Sequence, residues 1–305
     1  MKKYFIPLLF LIFTVIVIIK LDYTTDYIAD ILEDNPQIQT LPINEYTKEY
    51  DFNYVKLDND FIPLSYKDII NIYFNVLNNG WDTFTFYCPS EYIDCYTDIK
   101  EISENRTLLS NINNFTHPFN NFKTIKTSMG ESGEMIIKIT KLYTEEEINK
   151  INNMVDELAN NLLKGESTST EDTIKNIHDY IINNTKYDEL RNKTGESPYA
   201  SNTAIGVLES GYGICSGYAD LMAIFLSRLG LKNFKVASKA HVWNAVFLGG
   251  EWLNLDLTWD DPVSTDGRDT LWHKYFLIKT EKFSELDKPE EEDHIFDLRV
   301  YSELR

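Results

Sequence analysis

Two consecutive stretches in the middle of the chain repeat apolar residues at helical spacing. The first opens with Thr144-Glu-Glu-Glu147, a capping box in which a threonine and a glutamate satisfy each other's backbone N–H groups. Its apolar stripe consists of Ile148, Ile151, Val155, Leu158 and Leu162. Glycine-bearing polar sequence from Gly165 to Thr170 ends it, and a second helix begins near Thr170. His178 lies on this second helix beside Asp179 and is interpreted as a surface or capping histidine.

Shorter patterns elsewhere predict a mixed α+β organisation. Asp68–Leu77 has helical periodicity, whereas Asp82–Tyr87 and Glu134–Ile139 alternate as strands do. Two more strands are predicted near the C-terminus, at Trp272–Ile278 and His294–Val300. We therefore predict a small α+β domain over residues 49–142 and a second domain over residues 143–305.

A glycine-rich break precedes a third apolar helix that carries Cys215 near its start. Gly211-Tyr212-Gly213 interrupts regular structure, and Gly230 marks the end of the helix. Apolar residues recur between them at Ala219, Met222, Phe225, Leu226 and Leu229. The unpaired N–H groups and the dipole at a helix N-terminus stabilise a thiolate, and the same N–H groups can bind an oxyanion.

The segments His241–Leu248 and Glu251–Trp259 are apolar and β-prone, and Gly249-Gly250 between them predicts a two-residue hairpin turn. With that turn Leu248 pairs with Glu251, which makes His241 and Asp256 diagonal neighbours on one face, about 7 Å apart. A three-residue turn would shift the register by one and separate them. The spacing therefore predicts a hydrogen-bonded His241–Asp256 pair.

Cys215, His241 and Asp256 follow one another as a nucleophile, its base and the group that orients the base. Taken singly, a buried cysteine or histidine is more often a structural residue. The joint constellation favours catalysis, and the backbone N–H of Cys215 is the first candidate oxyanion donor. Candidates for the second donor or for a substrate groove are Tyr212, Asn202, Tyr199 and Trp243.

Two simpler interpretations apply to residues near these motifs. Trp243, Trp252 and Trp259 are expected to be core or groove-lining aromatics. Asp260 and Asp261 precede Pro262 and are expected to shape a turn, so no metal and no cofactor is predicted.

Three separated motifs together resemble the bacterial transglutaminase-like superfamily. They are Gly-Ile-Cys-Ser-Gly-Tyr-Ala at 213–219, His-Val-Trp-Asn-Ala-Val at 241–246 and Gly-Glu-Trp-Leu-Asn-Leu-Asp-Leu-Thr-Trp-Asp-Asp-Pro at 250–262. The resemblance covers roughly residues 170–280. It implies a papain-like α+β core, with the cysteine on a helix packed against an antiparallel sheet, and acyl transfer through a thioester. Val242 departs from the alanine common in relatives, and this position points away from the His241 face.

The N-terminus predicts an export signal. Lys2 and Lys3 precede an apolar run from Tyr4 to Ile19. Such a run is short for a spanning helix of about 17–25 residues and long for a signal core of about 7–15. No small-residue cleavage site follows, which favours an uncleaved signal anchor over residues 1–20, with a cleaved signal peptide as the alternative. Residues 21–48 are interpreted as a tether to an extracytoplasmic body.

Composition excludes one class of partner. The chain carries 48 acidic and 29 basic residues, giving a net charge of −19, so nucleic-acid binding is not expected. Of the 3 cysteines, Cys88 and Cys95 lie close enough in sequence to form a disulfide or to stay free thiols.

Three functions remain open from the sequence. The first is an extracytoplasmic cysteine enzyme that transfers or hydrolyses protein or peptide amides, with the cell wall as one source of substrate. The second is a cysteine peptidase acting on cell-surface or cell-wall peptides. The third is a non-catalytic, wall-associated binding or scaffolding module with a relic triad.

Overall fold

The computed structural model describes residues 41–162, 169–262 and 271–305. Pro42–Arg305 forms one compact unit, which contains both domains predicted from the sequence. The domain boundaries themselves stay predictions. The proposed anchor over residues 1–20 and most of the tether over residues 21–48 lie outside the described residues. In the described part of the chain, none of the helices combines the length and apolar composition needed to cross a bilayer.

The described residues form ten α-helices and eight β-strands. The helices are α1 (Tyr66–Asn78), α2 (Cys95–Glu104), α3 (Arg106–Asn114), α4 (Glu145–Leu162), α5 (Thr170–Asn183), α6 (Glu189–Thr194), α7 (Ala204–Ser210), α8 (Cys215–Arg228), α9 (Leu257–Asp260) and α10 (Phe283–Leu286). The strands are β1 (Thr83–Phe86), β2 (Phe122–Met129), β3 (Met135–Lys141), β4 (Lys186–Tyr187), β5 (Tyr212–Gly213), β6 (Asn233–Ala237), β7 (Val242–Leu248) and β8 (Glu251–Leu255).

Two antiparallel sheets organise the chain, in the orders β1-β3-β2 and β6-β7-β8. The β7–β8 hairpin turns at Gly249-Gly250 and pairs Leu248 with Glu251, which confirms the predicted register. The two amphipathic helices α4 and α5 and the Cys215 helix α8 are also confirmed. With a cysteine at the N-terminus of a helix that packs on an antiparallel sheet, the fold is of the predicted α+β class.

Helix α8 is central because it is buried almost all round. It packs against β6 and β7 and also against α5 and α7, and its residues 217–226 are buried. Apolar side chains from these elements and from α4 form the core around it; they include Ile151, Val155, Ile174, Ile177, Leu221, Phe225, Val246 and Leu255. Burying the helix on several faces fixes the place of its first residue, Cys215.

Polar contacts inside this core fasten α8 to the sheet. The Nδ2 atom of Asn244 on β7 donates to the carbonyl of Ala219 at 2.9 Å. The Asp220 carboxylate pairs with Nζ of Lys235 on β6 at 2.6 Å and accepts from the Tyr143 hydroxyl at 2.7 Å, while both charged side chains are nearly inaccessible to solvent. An ion pair buried this completely fixes which face of the helix meets the sheet.

Three strand predictions near the C-terminus are wrong. The strands predicted at 272–278 and 294–300 do not form, and the strand predicted over 251–259 ends early. Strand β8 stops at Leu255, because the Asp256 carboxylate caps the short helix α9 instead of letting the strand run to Trp259. Residues 272–278 are irregular and bent. Asp260 Oδ1 accepts the N–H groups of Lys274 and Tyr275 there, and Ile278 forms an isolated bridge to Asn254 on β8. Residues 294–300 form turns and irregular chain and no strand.

Cys88 and Cys95 form a disulfide that joins the segment after β1 to the first residue of α2. The sequence left this pairing open against two free thiols. With these two cysteines bonded, Cys215 is the free cysteine of the chain.

The buried Asp220–Lys235 pair leads to a stability prediction. Asp220→Asn leaves the Lys235 cation buried without its partner, so we expect the free energy of unfolding to fall by about 3–5 kcal/mol. Urea denaturation followed by circular dichroism measures it. The control Lys193→Ala breaks the exposed Lys193–Glu189 pair and costs at most about 1 kcal/mol. A loss for Asp220→Asn no larger than that of the control would contradict this account.

Candidate active site

Cys215 is the first residue of α8 and follows the short strand β5 directly. Two glycines of its motif allow the surrounding chain to come close. A Cβ on Gly217 would lie 2.3 Å from the Ser201 carbonyl oxygen, and one on Gly213 would lie 2.6 Å from the Tyr218 ring. The Ser201 carbonyl also accepts the N–H of Ile214 at 2.8 Å. Both glycines are therefore required by packing around the turn that presents the thiol.

His241 lies at the entrance to β7, where its N–H donates to Ser238 Oγ at 3.2 Å. Its imidazole is buried and stacks on Trp243, with 5.8 Å between ring centroids. The ring nitrogen Nε2 contacts Asp256 Oδ2 at 2.5 Å. The Cys215 side chain acts on the same ring and contributes to raising the pKa of His241. Since Nε2 is engaged by Asp256, Nδ1 is the nitrogen available to the thiol.

Asp256 is fully buried at the junction of β8 and α9. Its Oδ1 atom accepts the N–H groups of Thr258 and Trp259 at 2.9 and 3.2 Å, so the side chain caps α9. Its Oδ2 atom is left for His241. The structure thus brings Cys215, His241 and Asp256 together in the arrangement predicted from the hairpin register, and it supplies the docking of α8 that the sequence did not reveal.

The electrostatics of the site favour charged forms of the histidine and the aspartate. Burial lowers the pKa of His241, but the charge and hydrogen bond of Asp256, together with Cys215, raise it to about 10. Burial raises the pKa of Asp256, but the charge and hydrogen bond of His241, with a further contribution from His294, hold it below its usual range. The pair is therefore an imidazolium and a carboxylate at neutral pH.

Two residues that lie at the site, His294 and Tyr187, were not predicted from the sequence. His294 places Nε2 3.1 Å from Asp256 Oδ2, on the same oxygen that His241 uses. Tyr187 on β4 pairs with Gly213 on β5. Its burial and, to a smaller extent, the charge of Cys215 raise its pKa to about 12. Both are remote in sequence from the residues they approach, and no local motif singles them out.

The residues considered for the second oxyanion donor or the substrate groove lie in different parts of the fold. Trp243 is buried beneath His241 and donates from Nε1 to Asn254 Oδ1 at 2.9 Å, which places it in the core, one of the two places expected for it. Tyr212 stacks on Tyr199 with 4.0 Å between ring centroids. Asn202 lies against the first turn of α8, where its carbonyl accepts from Ser216 Oγ. A role for Tyr212, Tyr199 or Asn202 in binding the oxyanion stays a prediction.

His178 is fully buried, so its interpretation as a surface or capping histidine is wrong. Its two ring nitrogens contact Asp179 Oδ1 at 2.9 Å and Asp260 Oδ2 at 3.3 Å. Asp260 is a turn-shaping residue as predicted, because it also accepts backbone N–H groups from residues 274 and 275.

Two groups in the described part of the chain have the residue types and spacing to hold a metal ion: His178 with Asp179 and His273, and His241 with Asp256 and His294. In both groups the imidazoles already hydrogen-bond the carboxylates. The sequence-based expectation of a metal-free site stays a prediction.

One family model and two solved structures are similar to parts of this chain. Residues 156–257 match the family model of the transglutaminase-like superfamily. The crystal structure of a TGase is similar at 17% identity and a TM-score of 0.37, with 60% of this chain and 58% of that chain covered. A proposed cysteine protease from Cytophaga hutchinsonii is similar at 15% identity and a TM-score of 0.28, with 49% of this chain and 65% of that chain covered.

The chain thus spans less than two thirds of the length of either structure. No curated protein matches it. The family model covers the segment that contains Cys215, His241 and Asp256, and these are the side chains that the fold assembles. Over residues 156–257 the chain therefore matches the transglutaminase-like superfamily.

Proposed function

We propose that the protein is an extracytoplasmic cysteine enzyme that transfers or hydrolyses protein or peptide amides through a thioester on Cys215. The observation that carries this proposal is the buried His241–Asp256 pair, joined at 2.5 Å, beside the free thiol of Cys215, which helps to raise the pKa of the same imidazole. Each of the three chemical roles is thereby filled by a side chain in contact with the next.

The first half of the reaction follows from these contacts. In the imidazolium form of His241 the proton on Nδ1 is the one that Cys215 has given up, and the Cys215 thiolate of this ion pair attacks the carbonyl carbon of the amide. The C=O electron pair moves onto oxygen, and the backbone N–H of Cys215, at the start of α8, is positioned to stabilise that oxyanion. Collapse of the adduct breaks the C–N bond, and the His241 imidazolium gives its proton to the leaving amine.

The second half of the reaction resolves the thioester. His241, now neutral, accepts a proton from an attacking water or amine while Asp256 holds its ring. Attack by water gives a carboxylic acid, and attack by an amine gives a new amide; either one regenerates the thiol. Transferase, hydrolase and peptidase therefore use the same three residues.

The extracytoplasmic location rests on separate observations. A basic N-terminal pair followed by an apolar run favours export. The Cys88–Cys95 disulfide is also typical of proteins that fold in an oxidising compartment. Substrates presented outside the membrane, including peptides and proteins of the cell wall, are the class we expect the site to meet.

The thiol reactivity of Cys215 tests the enzyme proposal. In non-reducing buffer Cys215 is the one free thiol among the three cysteines, so labelling reports on it alone. We expect iodoacetamide to alkylate it rapidly at pH 6, where an ordinary thiol that titrates near pH 8.5 is about 99% protonated and unreactive. His241→Ala should slow the reaction at least about tenfold because the thiolate loses its counter-ion.

His273→Ala is the matched control, because this half-exposed histidine contacts Asp179 and not the triad. It should leave the rate unchanged. Alkylation that follows an ordinary thiol titration and ignores His241→Ala would overturn the enzyme proposal and favour a binding module with a relic triad. With a reactive thiol, incorporation of a labelled amine into a casein-like acceptor distinguishes a transferase from a hydrolase or peptidase.

The imidazolium–carboxylate pair also predicts how stability depends on pH. The raised pKa of His241 contributes stability that is fully present below pH 6.5 and is lost as pH rises toward about 10. The lowered pKa of Asp256 contributes stability that is present above pH 3.8 and is lost in acid. The difference in unfolding free energy between the native protein and His241→Gln should therefore be largest between pH 4 and 6.5.

Urea denaturation at pH 5, 7 and 9 measures this difference. We expect it to shrink steadily from pH 5 to pH 9. In an Asp256→Asn background the same substitution should show little change over this range, since the carboxylate that raises the histidine pKa is gone. A pH-independent difference in the native background would contradict the assigned ion pair.

A further inference from the structure

His294 is a buried histidine whose two ring nitrogens both face carboxylates. Its Nε2 atom lies 3.1 Å from Asp256 Oδ2, and its Nδ1 atom lies 2.9 Å from Asp287 Oδ2. The side chain is 1% exposed, so solvent does not complete either contact. The Asp256 oxygen that it contacts is the one that also binds His241.

The number of ring hydrogens determines what these contacts require. A neutral imidazole carries one N–H, whereas an imidazolium carries two. Both carboxylates can accept a hydrogen bond from His294 only if the ring is an imidazolium. That cation balances the second carboxylate, because the His241 cation alone offsets one of the two charges carried by Asp256 and Asp287.

The ring has little freedom to leave this position. Phe283 stacks on it with 4.1 Å between centroids and 8° between planes, and Tyr275 covers it at 5.1 Å. The Tyr275 hydroxyl donates to Asp287 Oδ1 at 3.0 Å and so fixes the second carboxylate. Trp243 meets the His294 ring edge-on at 5.2 Å, which connects it to the ring that supports His241.

We propose that His294 is a positioning residue of the triad, which donates to Asp256 Oδ2 as a cation held by Asp287. This inference rests on the proposed function of Cys215, His241 and Asp256. Asp256 then accepts four hydrogen bonds, two on each oxygen, and cannot rotate away from His241. The second cation on Oδ2 also weakens the hold of Asp256 on the His241 proton, which helps His241 to release that proton to the leaving amine.

The other charged and titratable groups near His294 fit this assignment. The His241 ring lies edge-on, with 5.7 Å between centroids, and does not hydrogen-bond His294. The Glu291 carboxylate couples to His294 by charge and binds the backbone of Lys288. Asp256, Asp287 and Glu291 are thus the acidic groups whose charges act near His294.

The test compares two variants of His294's environment. His294→Phe keeps an aromatic ring for the stack on Phe283 but removes both N–H donors. Asp287→Asn leaves a neutral amide that can donate to Nδ1, so His294 keeps its N–H toward Asp256 but no longer needs to be charged. His178→Phe is the matched control, because His178 also lies buried between two carboxylates but does not contact the triad.

The first readout is the titration of the His241 ring by nuclear magnetic resonance in the full-length Cys215→Ala protein, which removes the thiolate. Losing the neighbouring cation should move the His241 titration midpoint up by about one pH unit in both His294→Phe and Asp287→Asn. His178→Phe should leave it in place. A purely structural role for His294 would destabilise the protein without moving this midpoint.

The second readout is the rate of Cys215 alkylation at pH 6 with native Cys215. We expect His294→Phe to slow it about tenfold and Asp287→Asn to change it less than threefold, since only the former loses the hydrogen bond that fixes Asp256. An unmoved His241 midpoint in both variants, or equal effects of His294→Phe and His178→Phe, would overturn the inference. If His294→Phe does not fold, the titration midpoint of His241 in Asp287→Asn alone decides whether the inference holds.

The two proposals fail in different ways. If native Cys215 behaves as an ordinary thiol but the His241 midpoint moves in the variants, the proposed enzyme function is wrong and the coupling through Asp256 stands. If Cys215 is reactive and depends on His241 but the midpoint does not move, the function stands and His294 has no positioning role.

Discussion

The carboxylate of Asp256 is the interaction on which the arrangement of the site depends. One oxygen caps α9 and the other holds two imidazoles, so a single buried charge ends a strand, starts a helix and orients His241. The short helix α9 ends at Asp260. The carboxylate of Asp260 accepts the N–H groups of residues 274 and 275 and contacts His178 on α5. The chain that returns after α9 is thereby tied to the same corner that carries the triad.

A buried carboxylate is costly unless its hydrogen bonds and its charge are satisfied. Asp256 meets both conditions through backbone N–H groups on Oδ1 and imidazoles on Oδ2. The buried Asp220 carboxylate, between α8 and β6, is satisfied in the same way by the charge of Lys235 and the hydroxyl of Tyr143. The two acids therefore position different parts of the site: Asp256 holds the His241 ring, and Asp220 helps to place the helix that carries Cys215.

The sequence predicted the parts of this structure whose information is local. The capping box at Thr144 and the Gly249-Gly250 turn determine the start of α4 and the register of β7 with β8, and both follow from residues a few positions apart. Strand β2 gave no such signal, because its burial alternates poorly and most of its side chains are exposed. The end of β8 was misplaced because Leu257 to Trp259 remain β-prone by composition, and only the capping contacts of Asp256 convert them to a helix.

Long-range contacts explain the remaining differences. His294 is 38 residues from Asp256 and lies in a turn, so neither periodicity nor motif connects the two. Likewise the burial of His178 depends on Asp260, which is 82 residues away. Such residues are recognisable only once the chain has folded, since what distinguishes them is an unusual pairing of charges and not a local pattern.

The same charges influence how a thioester on Cys215 would be resolved. The groups whose charges act on Tyr187, beside Gly213, are Cys215, Asp293, Asp256 and Asp188, all of which are negative when ionised. Together with a net charge of −19, this surrounding attracts cationic amines over anionic ones. In the proposed reaction an amine must lose a proton as it attacks, and the neutral His241 left after acylation would be the base within reach. The attraction between these negative charges and cationic amines raises the amine concentration near the site. Whether transfer exceeds hydrolysis then depends on how well water is excluded from the thioester.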